Sequence, residues 1–292
     1  MSLDHVRPVR GLAYHVCPRG DSGVGAPEVV LLHGFAGSTR DWERTSDALG
    51  RAGLRAIAID LPGHGATAAP PESTRYSMAE TAHDLCEILD GLRIRSAHWI
   101  GYSMGGRLAL YLAAMRPDRV ESLVLESASP GLEGAAARAA RRASDEMLAA
   151  EIEVRGIEWF AEHWASQPIF DSQRSLPADR LAALRERRLR NDPHGLAGSL
   201  RGLGQGAQPW MGERLASVRC PTLLIAGALD PKYVEIARSM QERMTHARSV
   251  VVSDAGHNVH LEQPEAYERI LLDHLRPFAR VSPLSAPSSL EA

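Results

Sequence analysis

Short runs of apolar and β-branched residues alternate with stretches of helical period along most of this chain. The runs are Val29–Leu32, Ala56–Ile59, His98–Ile100, Leu123–Leu125, Thr222–Ile225 and Ser249–Val252. Each predicts a strand buried on both faces, because apolar residues follow one another without regular polar alternation. Helices are predicted between most of them, including Met78–Leu92 behind a capping box Ser77-Met-Ala-Glu80, and Glu235–Met244. The alternation predicts an α/β fold with a mostly parallel sheet flanked by helices.

The alternation is interrupted from Pro130 to Pro209, where Ala- and Arg-rich helical segments continue without a strand. We expect this block to be an inserted helical cap above the carboxyl ends of the strands, where such sheets bind ligands. A length of 292 residues fits one domain with an insertion about as well as two domains, and we start from one domain. The predicted division is a core over 1–129, the cap over 130–209, the rest of the core over 210–280, and a disordered tail over 281–292.

Composition and charge exclude several classes of protein. The net charge of −3 gives no long-range field to attract nucleic acid or anionic lipid. Cys17, Cys86 and Cys220 are scattered, which favours reduced thiols over disulfides or a zinc site. The sequence contains no signal peptide and no apolar run long enough for a membrane span, so we expect a cytoplasmic protein, assumed to be monomeric. No cofactor motif and no metal-binding histidine pattern is present.

The segment Gly101-Tyr-Ser-Met-Gly105 lies between a predicted strand and a strongly helix-forming stretch. A strand, a sharp turn and a helix are the context that a Gly-x-Ser-x-Gly nucleophile elbow requires. Glycines allow the backbone to approach itself closely in such a turn, and the serine then lies at a helix N-terminus. A chance loop is the alternative, but the flanking elements favour Ser103 as the reactive residue.

Two later segments supply a base and an acid for this serine. Asp230 follows the strand Thr222–Ile225, and His257 follows the strand Ser249–Val252. The order Ser, Asp, His is the one this kind of elbow fold uses, and the acid fixes the tautomer of the histidine. Taken singly, Asp230 could cap a helix and His257 could be a surface residue. Asp254 is a rival acid, but it lies in the same short loop as His257, so Asp230 is preferred.

The loop after the first buried strand, His33-Gly34-Phe35, is where the second oxyanion donor is expected. The candidate donors are the backbone N–H groups of Phe35 and Met104. His33 is expected to form structural hydrogen bonds, and no chemistry is assigned to His64.

Three motifs together resemble the α/β-hydrolase superfamily: Leu32-His-Gly-Phe-Ala-Gly-Ser38, Asp60-Leu-Pro-Gly-His-Gly65 and Gly101-Tyr-Ser-Met-Gly-Gly-Arg107. Further segments are similar to the 2-succinyl-6-hydroxy-2,4-cyclohexadiene-1-carboxylate synthases of menaquinone biosynthesis. These segments are Glu126-Ser-Ala-Ser-Pro-Gly-Leu132, Ala139-Ala-Arg-Arg-Ala-Ser-Asp145, Trp164-Ala-Ser-Gln-Pro-Ile-Phe170, Gly202-Leu-Gly-Gln-Gly-Ala-Gln-Pro209 and Asp230-Pro-Lys-Tyr233. The resemblance implies a lyase that eliminates pyruvate from 2-succinyl-5-enolpyruvyl-6-hydroxy-3-cyclohexene-1-carboxylate, with the triad as base.

By the same resemblance, the residues expected to contact this polycarboxylate substrate are Tyr102, Arg107, Arg141, Trp164 and Lys232. Arg107 also follows from its position, since it lies one helical turn after Ser103 and its guanidinium can hold a carboxylate at two points. Four of these contacts have a plainer alternative. Arg107 could pair with a structural acid. Arg141 could be solvated, Trp164 could be core packing and Lys232 a first-turn lysine.

The run Arg185-Glu-Arg-Arg-Leu-Arg190 is most simply a solvated helix face. The competing function is a carboxylesterase or thioesterase in which Ser103 is the nucleophile, because the same triad supports acyl transfer. A non-catalytic binding protein is disfavoured because every position of the triad is filled.

Overall fold

The computed structural model describes residues 5–20 and 25–279, and its centre is an eight-stranded sheet. The order across the sheet is β1-β2-β4-β3-β5-β6-β7-β8, with antiparallel pairing at β1/β2 and β2/β4 and parallel pairing elsewhere. This confirms the α/β class and the mostly parallel sheet. The strands are β1 (His5–Val9), β2 (Leu12–Arg19), β3 (Glu28–Leu32), β4 (Arg55–Ile59), β5 (Ala97–Tyr102), β6 (Val120–Glu126), β7 (Thr222–Gly227) and β8 (Ala247–Val252).

All the predicted strands lie within β3 to β8, but two features of the sheet differ from expectation. Strand β8 is not buried on both faces, because it is the edge of the sheet and Val251 is 42% exposed. Strands β1 and β2 were not predicted, since buried and partly exposed residues alternate along β2 and each strand contains a proline, Pro8 or Pro18.

Helices cover both faces of the sheet. They are α1 (Glu43–Arg51), α2 (Met78–Gly91), α3 (Met104–Met115), α4 (Ala135–Ala165), α5 (Ala178–Leu189), α6 (Pro193–Leu203), α7 (Pro231–Arg243), α8 (Val259–Glu262) and α9 (Pro264–Leu275). Short 3-10 helices span Thr39–Trp42, Ser73–Tyr76, Pro117–Arg119, Pro168–Ser175 and Gly212–Ser217. In the described ranges, no helix combines the length and the apolar character needed to cross a bilayer.

Helix starts follow the local sequence, with two differences from the predictions. The hydroxyl of Ser77 accepts from the N–H of Glu80, as predicted, but the Glu80 carboxylate accepts from Arg10 instead of closing a capping box. Helix α7 begins at Pro231, four residues before the predicted start, because Asp230 caps it and proline suits the first helical position.

Residues 130–209, all of them described, form only helices, turns and loops. Helix α4 is kinked at Gly156, where φ is 80°. Helix α6 packs directly on the loop that follows β4. A Cβ at Gly195 would lie 2.5 Å from the carbonyl oxygen of Gly63 in that loop. We propose residues 130–209 as the cap, anchored through α6; the predicted tail over 281–292 lies outside the described residues.

Candidate active site

Ser103 lies in a strained turn between β5 and α3. Its φ of 48° and ψ of −107° are rare for a residue with a side chain, and they are typical of strain stored at functional sites. A Cβ on Gly101 would collide with the carbonyl of Gly105, and one on Gly105 would collide with the carbonyl of Leu32. The turn is therefore possible only with glycine at these two positions, as the elbow interpretation requires.

The three predicted triad residues are joined by hydrogen bonds. The Oγ of Ser103 lies 3.1 Å from Nε2 of His257, and Nδ1 of His257 lies 2.8 Å from Oδ2 of Asp230. Both His257 and Asp230 are buried, whereas the rival acid Asp254 is exposed. Because the carboxylate accepts from Nδ1, Nε2 is left as the acceptor for the serine proton.

The two predicted oxyanion donors both line the cavity beside Ser103. The N–H of Met104 is in the first turn of α3, where backbone donors have no acceptor within the helix. The N–H of Phe35 has no hydrogen-bond acceptor in the described part of the chain. These two groups could stabilise negative charge that develops on an oxygen next to Ser103.

His33 holds the loop that carries Phe35. The N–H of Leu61 donates to Nε2 of His33 at 3.0 Å, so the ring proton is on Nδ1, which donates to the carbonyl of Gly34 at 2.7 Å. Both hydrogen bonds connect the His33 ring to backbone groups, and His33 is fully buried. His33 therefore has the structural role predicted for it.

A cavity of about 120 Å³ opens above Ser103. Its lining contains every residue expected to contact substrate, namely Tyr102, Arg107, Arg141, Trp164 and Lys232. Residues from β5, α3, α4, α6 and α7 meet there, so the site lies between the sheet and residues 130–209.

Arg107 carries a buried positive charge without a carboxylate partner. Its side chain donates to Oε1 of Gln208 at 3.0 Å, and the amide of Gln208 in turn donates to the carbonyl of Ser129 at 3.1 Å. No ion pair to Arg107 exists among the described residues, so the alternative of a structural acid is wrong. Burial lowers the pKa of Arg107 to about 10, which leaves the guanidinium charged at neutral pH.

The other predicted contacts differ from Arg107 in their surroundings. Arg141 is already paired with Asp145 at 2.7 Å and donates to Gln205 at 2.5 Å. The Trp164 ring packs at 5.1 Å from the ring of Phe35, and Lys232 is exposed at the rim. Arg107 is therefore the basic group of this cavity that is buried and has no carboxylate partner among the described residues.

Arg188 is a candidate that the sequence interpretation missed. It is 6% exposed and faces a second cavity of about 270 Å³, which shares Phe35, Tyr102, Trp164 and Phe170 with the first. Its guanidinium lies 5.5 Å from the ring of Phe170 and forms no ion pair with any residue in the described ranges. Burial lowers the pKa of Arg188. The prediction that Arg185–Arg190 is a solvated face is wrong for this residue.

A helical period could have identified Arg188. Leu184, Arg188 and Asn191 are spaced by four and three residues, and this stripe is the less exposed side of α5 and the turn after it. Residues 185 and 186 between them are exposed.

Within the described ranges, no group of three His, Cys, Asp or Glu side chains is placed to hold a metal ion.

The parallel sheet, the strained serine elbow and the hydrogen-bonded Ser, His and Asp define a protein with the α/β-hydrolase fold. The family model described as "alpha/beta hydrolase fold" matches residues 27–264. A Bacillus subtilis (strain 168) protein, provisionally named 2-succinyl-6-hydroxy-2,4-cyclohexadiene-1-carboxylate synthase, is 41% identical over 265 residues, covering 91% of this chain and 95% of the relative.

A Salmonella schwarzengrund (strain CVM19633) protein of the same name is 33% identical over 252 residues, covering 86% of this chain and 95% of the relative. The solved structure of MenH from S. aureus superposes with a TM-score of 0.85 at 33% identity, over 90% of this chain and 98% of that one. The chain belongs to the 2-succinyl-6-hydroxy-2,4-cyclohexadiene-1-carboxylate synthase family.

Proposed function

We propose that this protein is a carbon–oxygen lyase of menaquinone biosynthesis. It eliminates pyruvate from 2-succinyl-5-enolpyruvyl-6-hydroxy-3-cyclohexene-1-carboxylate and releases 2-succinyl-6-hydroxy-2,4-cyclohexadiene-1-carboxylate. The names of its relatives support this reaction. The observation that carries it is the buried, uncompensated guanidinium of Arg107 one helical turn from Ser103.

The structures of substrate and product define the bonds that change. The 3-ene becomes a 2,4-diene, so a hydrogen leaves C2 and the carbon–oxygen bond at C5 breaks. The C2 hydrogen is acidic because the neighbouring succinyl ketone can take up the electron pair as an enolate. The reaction therefore needs a base near C2 and hydrogen-bond donors at the ketone oxygen.

The triad supplies the base. Ser103, whose proton is drawn toward Nε2 of His257, removes the C2 proton, while Asp230 stabilises the imidazolium that results. The N–H groups of Phe35 and Met104 donate to the enolate oxygen. When the enolate collapses, the double bond shifts and enolpyruvate departs. The extra proton on His257 balances the departing enolpyruvate anion, which becomes pyruvate by protonation at carbon, so the triad is restored. Ser103 forms no bond to carbon, so no acyl-enzyme forms.

The basic residues hold the carboxylates of the substrate. Arg107 binds one carboxylate at two points and keeps the ring oriented toward Ser103. Arg141 and Lys232 line the same cavity as Arg107, Arg188 lines the adjoining cavity, and these three bind the remaining carboxylates. A neutral ester would leave the charge of Arg107 buried and unpaired, which is unfavourable. The charge pattern thus favours a polyanionic substrate.

The second candidate is a carboxylesterase or thioesterase. The 3.1 Å contact between Ser103 Oγ and His257 Nε2 favours it, because the same geometry activates a serine for attack on a carbonyl. In that reaction Ser103 would carry an acyl group during turnover.

The cytoplasmic location and the monomeric state of the protein stay predictions.

One assay separates the two candidates. The purified protein is given the synthase substrate and a short acyl ester side by side, with pyruvate and free acid measured in each case. We expect pyruvate from the first and little hydrolysis of the second, and we expect Ser103→Ala to lose nearly all pyruvate release. Rapid ester cleavage without pyruvate, with an acyl group trapped on Ser103, would reject the lyase.

A further inference from the structure

Glu126, the last residue of β6, is bonded to the turn that carries Ser103 and to α8, the helix that directly follows the His257 loop. Its backbone carbonyl accepts from the N–H of Ser103 at 2.8 Å. Its carboxylate accepts from the backbone N–H of His260 at 3.0 Å and contacts Nδ1 of the same residue at 2.7 Å. The side chain of Glu126 is fully buried, so these bonds are not exchanged with water.

His260 follows His257 by three residues and lies in α8. Its ring stacks on Trp42 at a centroid distance of 4.4 Å and meets the ring of Tyr102 edge-on at 5.1 Å. The position of His260 is therefore fixed by packing as well as by Glu126. Because only Asn258 and Val259 separate the two histidines, a displacement of His260 would be transmitted to the His257 loop.

We propose that Glu126 is a positioning residue that sets the contact between Ser103 Oγ and His257 Nε2. Its main chain holds the serine turn and its side chain holds the histidine loop, so one residue relates the two reacting groups. Glu126 does not line the cavity above Ser103, and it acts through its neighbours without touching the substrate. The inference rests on the proposed use of Ser103 and His257, but not on the identity of the substrate.

A second carboxylate, that of Glu262, maintains the internal structure of the His257 loop independently of Glu126. Glu262 accepts from the N–H of Gly256 at 2.7 Å and from the N–H of Asn258 at 3.1 Å. These bonds keep the loop folded on α8, but they do not connect it to β5 or β6. Loss of the Glu126 carboxylate should therefore shift the loop as a unit relative to Ser103, leaving its internal structure intact.

The test is Glu126→Gln, which keeps the volume but places an amide N–H₂ against one of the two His260 donors. Two rates are measured: pyruvate release, as kcat and KM, and reaction of Ser103 with a fluorophosphonate, which needs the histidine but no substrate. We expect both kcat and the labelling rate to fall about 10- to 100-fold, because small misplacements of reacting groups have effects of this size. KM and the unfolding temperature should stay close to the parent values.

Glu121→Gln is the matched control. Glu121 lies on the same strand but is exposed and binds Ser96, so its replacement should change neither rate.

If Glu126→Gln does not fold, His260→Asn and His260→Leu decide the question. Both lose the stacking on Trp42, but only Asn keeps a side-chain donor near the position of Nδ1. The Asn variant should then be several-fold faster than the Leu variant in both assays.

The outcomes separate this inference from the proposed function. If the parent protein labels at Ser103 but releases no pyruvate, the lyase assignment fails and the labelling rates still test Glu126. Parent-like labelling and kcat in Glu126→Gln would overturn the inference. So would equal rates in His260→Asn and His260→Leu, or a loss confined to KM.

Discussion

The buried guanidinium of Arg107 donates to the neutral side-chain amide of Gln208, 3.0 Å away, where a structural arginine would pair with a carboxylate. The fold thus maintains a positive charge on a side chain that is 5% exposed. Such a charge lowers the stability of the free protein, and it is compensated when an anionic ligand binds.

Replacing Arg107 by Met should separate activity from stability. We expect kcat/KM for pyruvate release to fall at least about 10- to 100-fold, since a charge-assisted bidentate contact contributes about 1.5–3 kcal/mol. The free energy of unfolding should stay equal or rise, because an uncompensated buried charge is removed. Urea titration and steady-state kinetics on the same preparation measure both quantities.

Arg119→Met is the matched control for this prediction. Arg119 is also buried, but it donates to the carboxylate of Asp90 and to the carbonyls of Cys86 and Ile94. Its replacement should lower the free energy of unfolding by about 1–3 kcal/mol and leave kcat/KM nearly unchanged. If the two variants behave alike, Arg107 has no special relation to the substrate.

Asp230→Asn should inactivate the protein without unfolding it. The amide can present an N–H to Nδ1 of His257, which then favours the tautomer that cannot accept from Ser103 at Nε2. By analogy with other triads, kcat should drop about 10³- to 10⁴-fold. Asp254→Asn, in the exposed acid three residues before His257, serves as the control. An equal loss in the Asp254 variant would reassign the acid.

Gly195→Ala should disturb the contact between α6 and the core. The new Cβ would lie 2.5 Å from the carbonyl oxygen of Gly63, so the helix or the loop has to move. We expect a loss of about 1–3 kcal/mol in unfolding free energy, as for other overpacked contacts. Activity should also fall, because Ser199 and Leu203 of α6 line the cavity.

Gly134→Ala is the corresponding control, since its nearest neighbour would be 3.8 Å away. This substitution should leave both unfolding free energy and kcat/KM close to those of the parent. Equal behaviour of the two alanine variants would mean that α6 does not depend on the close glycine contact.

His64 should make the protein sensitive to acid. Burial lowers the pKa of His64 from 6.5 to about 3. Between these two pH values the ring is neutral in the folded protein and protonated in the unfolded chain. Stability contributed by neutral His64 is present above pH 6.5 and is lost as pH falls toward 3. The slope from one such group reaches about 1.4 kcal/mol per pH unit.

His64→Gln tests this directly, because the amide can still donate to the carbonyl of Pro62, which His64 now contacts at 3.1 Å. Urea unfolding at several values between pH 7 and pH 4 should give a shallower decline for the variant than for the parent. His83→Gln, at a surface histidine, should follow the parent curve. Parallel curves for parent and His64→Gln would exclude His64 as the source.

Local patterns allowed the serine elbow and the triad to be predicted. Ser103 is specified by glycines within two residues of it, and by a strand and helix whose sequences are unambiguous. His257 and Asp230 follow strands in the order that the fold requires. Strands β1 and β2 could not be predicted in this way, because each contains a proline and β2 is partly exposed. The place of β2 beside β4 also depends on pairing between distant parts of the chain.

The sequence by itself determined the parallel core, the elbow and the order of the catalytic candidates, because each depends on neighbouring residues and on strand or helix period. Only the tertiary structure decided that Arg188 faces a cavity without a carboxylate partner among the described residues. It also decided that Arg107 meets an amide and that Glu126 reaches His260, 134 residues away. The physical reason is that burial and ion pairing depend on which side chains from distant parts of the sequence are in contact in the folded protein. Local propensity carries no information about these contacts.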